Sequence, residues 1–573
     1  MRYHLIPVIA GFCLLLGCSP APPIHKDDFQ HIDTIITGGL IYDGSGSEPY
    51  TGGIAIDNGK ILTVGDVSKY SAAHVVDAKG YAVSPGFINM LSWGVVSLIH
   101  DGRGMSDISQ GVTLEVFGEG ISMGPLSPYT LKGLEQEFLV DYPIKFEWNT
   151  LGEYLDYVVD KGVSPNIASF VGATTLRMNQ MGSENIAPTD AQLASMQEEV
   201  RVAMQEGALG VGSSLIYAPA FYAKTDELIA IVSEAAKYGG SYISHIRNEG
   251  NQLLEAIDEL IAIAEVSGAA AEIYHLKASG ENNWPKMALA IDKINAARAR
   301  GLNIRADIYT YPAGSTGLDA AMPPWVQAGG YEEWRSRLLD PTIRQQVKIE
   351  MQTPNNEWDN LWLAAGTPER ILFSSFKNPE LKPYTGKTLA EVMQIRGTDA
   401  EDTMIDLVIA DGTRVGTIYF LMSEDNIALK IKQPWLSFGS DSEALAPEGE
   451  FLKSNPHPRA YGTFTRLLGH YVREKNVISL QEAVRRLTTL PAENLKLKQR
   501  GALKAGYAAD IVVFNPDTII DKATFAKPHQ LASGVEHVWV NGQQVLKNGQ
   551  HTGAFPGQVV RGPGWTGWEK TEH

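Results

Sequence analysis

Residues 241–280 open with Ser241-Tyr242-Ile243-Ser244-His245-Ile246-Arg247-Asn248-Glu249-Gly250 and close with Ala271-Glu272-Ile273-Tyr274-His275-Leu276-Lys277-Ala278-Ser279-Gly280. Each end is an apolar-rich run that finishes on a histidine, as a buried strand would. Between them Leu253, Leu254, Ile257, Leu260, Ile261 and Ala264 recur at helical spacing, and Gly268 stops the helix. The stretch is one strand–helix–strand unit with a histidine at the C-terminal end of each strand. In a parallel barrel those ends build the site, and neighbouring strands bring both imidazoles to one point. Two histidines so placed suit a shared metal ion. A lone histidine in such a run is more often a satisfied core residue. A pair in adjacent repeats points to a site.

The same rhythm extends outward. Residues 165–171 read as a strand, and the helix after Thr189 leads into a strand over 208–215. The helix after Thr225 leads into residues 241–245, and a helix over 285–300 leads into a strand over 303–309. Repeated βα units in one large domain predict a parallel sheet, closed as a (β/α)8 TIM-like barrel over residues 85–490. An open doubly wound sheet is the alternative, but no Gly-x-Gly-x-x-Gly turn follows an early strand. Residues 323–412, rich in Trp, Pro and charge, break the rhythm and read as an insertion over one barrel face. Strand-like runs resume at residues 414–422 and 435–441. Short strands with glycine turns fill residues 31–84 and return within 491–573; two such end segments suggest one small β domain made from both chain ends, a pairing the pattern alone does not give.

A chain of 573 residues, 44% hydrophobic, is ample for a catalytic core and a satellite domain. Its formal net charge of −18 argues against a nucleic-acid backbone as partner. Residues 1–18 read as a targeting segment: Arg2 supplies the positive start, and residues 5–16 are apolar but too short to span a bilayer. The segment ends Leu15-Leu16-Gly17-Cys18, which resembles a bacterial lipoprotein signal. That resemblance implies a lipid anchor on Cys18 as the only membrane attachment, and a periplasm-facing place in the cell envelope. A plain secretory signal and a soluble periplasmic or secreted protein are the alternative. Residues 19–30 read as a tether. The chain's 2 cysteines, Cys13 and Cys18, both lie in the leader, so the fold has no disulfide and no cysteine ligand.

Two carboxylates join the histidines as candidates. Asp441 follows Gly439-Ser440 at the end of a strand-like run, where it suits a proton acceptor beside a metal-bound water, an N-cap being the alternative. Glu119 sits between Gly118 and Gly120 after a short strand containing Glu115, and by itself reads as a solvated loop residue.

These residues reach a known family. Residues 38–44, 84–88 and 500–514 resemble the amidohydrolase superfamily. Phe170-Val171-Gly172-Ala173-Thr174-Thr175-Leu176-Arg177, His245-Ile246-Arg247-Asn248-Glu249, Gly439-Ser440-Asp441 and residues 307–316, 376–383, 415–423, 455–464 and 526–530 resemble its D-aminoacylase branch. The resemblance runs over residues 33–564 and implies a zinc-dependent hydrolase of N-acyl-D-amino acids. It also exposes departures. Where the family has a His-x-His pair after the first strand, this chain has Leu91 and Trp93. Ala173 replaces a further histidine, and the family's cysteine turn is Gly118-Glu119-Gly120 here. The resemblance therefore implies one zinc per chain, held by Glu119, His245 and His275. It gives Asp441 as the general base, and Lys277, Tyr309 and Arg459 as the pocket for the free carboxylate of a small substrate. An Arg fork with a Lys and a phenol suits a carboxylate. A different amidohydrolase reaction on dipeptides or cyclic amides is one alternative. A non-catalytic binding protein, favoured by loss of the His-x-His pair, is the other.

Overall fold

The computed structural model describes residues 30–138 and 144–568, together with Met1 and Tyr3. Apart from Met1, Tyr3 and Gln30, the expected leader with Cys18 and the expected tether lie outside the described residues.

Eight parallel strands form the barrel: Phe87–Asn89, Val112–Phe117, Asn166–Ser169 continued by Val171–Gly172, Gly210–Ser214, Ser241–His245, Ala271–Ile273, Ile304–Ile308 and Leu436–Phe438. The first and eighth close it. The Met90 amide donates to the Phe438 carbonyl at 3.1 Å, and the Asp441 amide donates to the Leu91 carbonyl at 2.8 Å. Helices cover the outside, so the strands are buried on both faces and read as apolar runs rather than as alternation. Inside, Ile88, Leu91, Leu114, Val116, Phe170, Ile243 and Tyr274 share one apolar cluster. The helix Leu253–Ser267 buries Leu253, Ile257, Leu260, Ile261 and Ala264. It ends where Gly268 takes φ 74°, a left-handed cap that costs glycine nothing.

The two chain ends meet in a nine-stranded sheet, the small β domain expected from them. Its seam is the antiparallel pairing of Ala82–Pro85 with Ile511–Phe514, in which Val83 stands opposite Val513. Ile36, Ile54, Ile61, Val83, Ile511, Val513 and Trp539 form its core. The chain then leaves the sheet. The Gly557 amide donates to the Val163 carbonyl and the Gly562 amide to the Gly207 carbonyl, so the tail runs along the barrel end opposite the histidines.

One expectation needs correction. Residues 414–422 do not resume the barrel. Gly416–Tyr419 pairs antiparallel with Gly314–Gly317 and with Ile371–Ser375 in a separate three-stranded sheet. With helices such as Tyr331–Leu339, Pro341–Gln352 and Ala400–Asp411, that sheet encloses its own core of Leu318, Trp334, Val347, Phe373, Met404 and Tyr419. The inserted unit therefore spans about residues 314–419 rather than 323–412. A short apolar run looks the same in a parallel barrel and in an antiparallel satellite; only its partners differ.

Candidate active site

The strand ends on the insertion side converge on a cleft of about 1560 Å³, lined among others by Trp93, Glu119, His245, His275, Tyr309 and Asp441. Glu119 reaches it because the turn that carries it admits only glycine at its flanks. Gly118 has φ 108° and Gly120 has φ 73°. A Cβ on Gly118 would lie 2.5 Å from the Phe170 carbonyl oxygen, and one on Gly120 2.6 Å from the Ser214 Cβ. The close approach folds Glu119 over the barrel mouth, where it is 5% exposed. The solvated-loop alternative for Glu119 is thereby set aside.

His245 is the last residue of its strand, and His275 lies just beyond the next. His275 has φ 35° and Asp441 has φ 51°, left-handed values that cost non-glycine residues energy and are kept where surrounding structure holds them. For His275 part of that hold is its own amide, which donates to Asp307 Oδ1 at 2.8 Å.

Glu119 Oε1 lies 3.0 Å from His245 Nδ1 and 3.0 Å from His275 Nε2. The rings are 4.4 Å apart and nearly perpendicular, at 82°. Ligand-capable atoms of the three side chains all fall within 4.8 Å of one another. All three residues are buried. Burial alone would raise the Glu119 carboxyl, but His275 and His245 outweigh it and hold that group far below the usual carboxylate range. Burial and the Lys277 ammonium push His275 down, yet Glu249 and Glu119 prevail and hold it up at about 9. His245 is pushed down, chiefly by burial. One positive charge is thus held between two imidazoles and a carboxylate. A carboxylate oxygen and two imidazole nitrogens are also a sound donor set for a divalent cation, which would replace that proton.

Behind the histidines stands Glu249, which sequence reasoning did not single out. Its Oε1 is 3.1 Å from His275 Nδ1, and its Oε2 is 3.6 Å from His245 Nε2. It follows His245 by four residues, and its amide is held by Asp359 Oδ2 at 2.7 Å. The available signal was a carboxylate one short loop beyond a strand-end histidine. Carboxylates so placed orient ligating imidazoles through their outer nitrogens.

The remaining expected residues share the cleft, but not as free groups. Lys277 Nζ donates to Glu249 Oε1 at 2.6 Å and lies 2.6 Å from His275 Nδ1. Arg459 Nη1 pairs with Asp441 Oδ2 at 2.7 Å, and Nη2 donates to the Ser315 carbonyl at 3.3 Å. The two cations flank the Tyr309 ring, Lys277 at 5.9 Å and Arg459 at 4.5 Å from its centre. Burial raises Asp441 above the usual carboxylate range, with Arg459 pulling against it. The buried Arg459 Nε has no hydrogen-bond partner among the described residues.

Leu91 is fully buried in the barrel-interior cluster. Trp93 lines the cleft and donates its indole N–H to Glu119 Oε2 at 3.0 Å. Glu115 does not join the cleft. It lies buried beside Asn89, 3.3 Å from its Nδ2, with Asp107 close by, and burial raises its carboxyl to about 7.

Against known proteins, the profile described as "Amidohydrolase family" matches residues 384–546. N-acyl-D-aspartate deacylase from Alcaligenes xylosoxydans xylosoxydans is 32% identical over 531 residues, covering 92% of this chain and 95% of that protein. D-aminoacylase from the same organism is 32% identical over 542 residues, 94% of this chain and 99% of that protein. The crystal structure of N-acyl-D-glutamate deacylase from Bordetella bronchiseptica, complexed with zinc and a phosphonate mimic of the tetrahedral intermediate, superposes with a TM-score of 0.76. It is 29% identical, with 93% of this chain and 100% of that chain covered.

Proposed function

The chain belongs to the D-aminoacylase family of amidohydrolases, and we propose that it hydrolyses the amide bond of N-acyl-D-amino acids with one zinc ion held by Glu119, His245 and His275. The observation that carries this reading is the convergence of one carboxylate oxygen on two imidazole nitrogens, 3.0 Å from each, at the mouth of the barrel. Bound there, zinc supplies a water of lowered pKa and a Lewis acid for the amide carbonyl.

The chain's own groups do the rest. Asp441 accepts the proton of the attacking water and returns it to the leaving amine, so one carboxylate serves both halves of the reaction. Arg459 pulls that buried carboxyl down, against the burial that raises it. The unpartnered Arg459 Nε is a donor for the substrate's free carboxylate, and Tyr309 forms the floor between the two cations. Lys277 contributes the ammonium hydrogens that remain after Glu249 is served. Glu249 stands behind His275, its Oε1 3.1 Å from Nδ1. The products are a carboxylic acid and a D-amino acid.

A panel of N-acetyl-D- and N-acetyl-L-amino acids, assayed for released amine, tests this reading. Release from D-substrates and not from their L-enantiomers is the expected result. Hydrolysis confined to dipeptides or cyclic amides overturns the substrate class, and ligand binding without hydrolysis overturns the enzymatic reading. The reading also includes a lipid anchor at Cys18 in the cell envelope, supported by the apolar residues 5–16 and the Leu15-Leu16-Gly17-Cys18 end. Metabolic labelling with a fatty acid, lost in Cys18→Ser, checks it.

A further inference from the structure

The indole of Trp93 stands against Glu119 in a way that divides the carboxylate. Oε2 accepts the indole N–H at 3.0 Å, and Oε1 faces His245 and His275. An indole nitrogen only donates: its lone pair belongs to the ring, so Trp93 cannot itself ligate a cation. The neighbouring place is closed too. Leu91 is buried among Ile88, Leu114 and Ile243. Gly439 packs so tightly on Leu91 that a Cβ there would lie 2.7 Å from the Leu91 amide nitrogen. Ala173, after the third strand, offers a methyl group. A second cation beside the first would need a carboxylate shared through both oxygens, together with further nitrogen or oxygen donors. Here the second oxygen is taken by an N–H, and Leu91, Trp93 and Ala173 supply no donor.

Resting on the ligand set proposed above, we infer that Trp93 is a positioning residue: its N–H holds Glu119 as a one-oxygen ligand and confines the site to a single metal ion. The ring also packs on the barrel-interior cluster. Trp93→Phe therefore isolates the N–H by keeping most of the apolar contact.

The measurement is zinc affinity by competition with a chromophoric chelator, on the full protein with its fold checked by circular dichroism. Loss of an outer-shell partner weakens metal binding roughly ten- to a hundredfold, and Trp93→Phe is expected to fall in that range. In a Glu119→Gln background the same substitution changes affinity no further. The visible spectrum of the cobalt-loaded protein shifts in Trp93→Phe as Glu119 is released. Unchanged affinity in Trp93→Phe, with metal lost from Glu119→Gln, overturns the role of Trp93 and leaves the ligand set standing. Wild-type affinity in Glu119→Gln overturns both. Should Trp93→Phe fail to fold, zinc titration of the wild-type protein decides alone: saturation at one equivalent in excess zinc supports the inference, and a second equivalent overturns it.

Discussion

Arg459 Nη1 lies 2.7 Å from Asp441 Oδ2, and both side chains are buried. The pair does two things at once. Arg459 pulls down a carboxyl that burial still holds above the usual carboxylate range, and its own Nε has no hydrogen-bond partner among the described residues. In the proposed mechanism, base and substrate anchor are thereby coupled through one guanidinium.

Asp441→Asn removes the proposed proton acceptor while preserving shape. General acid–base catalysis is worth about 10²–10⁴-fold, and turnover is expected to fall by that factor with zinc content unchanged. Steady-state kinetics on metal-replete protein checks it. Near-normal turnover removes Asp441 from the mechanism.

Arg459→Ala deletes the charge-assisted hydrogen bond proposed for the substrate carboxylate. Binding of carboxylate-bearing substrates is expected to weaken by about 1.5–3 kcal/mol, and that of amide-capped analogues far less. Comparing kcat/KM for the two classes measures the difference. Equal losses would make Arg459 a support for Asp441 only. Lys277→Ala is expected to differ, because Lys277 is tied to Glu249 and His275: it lowers zinc retention as well as substrate binding.

Metal binding should depend on pH in a defined direction. In the metal-free protein His275 is held up at about 9 by Glu249 and Glu119, which outweigh burial and Lys277. A cation must displace that proton, so zinc affinity is expected to fall about tenfold per unit as pH drops below about 9. The same raised value stabilises the metal-free fold fully below the ordinary histidine pKa of about 6.5, and that contribution is lost as pH rises through about 9. Chelator competition at several pH values reads the first effect, and thermal melting of metal-free protein the second. A pH-independent affinity contradicts the assignment of His275.

Much of this site could be read in the sequence because barrel geometry forces it. His245 and His275 end adjacent strands, so they meet whatever the surrounding loops do. Glu119 was reached only through the resemblance, since its glycine-flanked turn by itself reads as a solvated loop; the positive φ values of Gly118 and Gly120 now explain the turn. Glu249 was not legible, because a carboxylate in a loop carries no periodic signal and its role depends on where the loop folds back. Trp93 read only as a lost ligand. That its N–H holds Glu119 follows from side-chain placement, which spacing does not encode. Residues 414–422 misled because strand pattern is silent about pairing partners, whereas the two terminal β segments were brought together by resemblance and not by periodicity.

The two glutamates near the second strand separate ligand from scaffold. Glu119→Ala is expected to lose zinc and activity together. Glu115→Gln replaces a carboxyl that burial has raised to about 7 with an isosteric amide, and is expected to keep both. Elemental analysis and turnover on each variant check the contrast.

The most direct test is to strip the purified wild-type protein with a chelator and add zinc back in steps, following release of a D-amino acid from its N-acetyl derivative. Activity that is absent in the stripped protein, rises linearly and saturates at one equivalent per chain is the predicted result. Folded, chelated protein that still turns over, or zinc-loaded protein that never does, contradicts it.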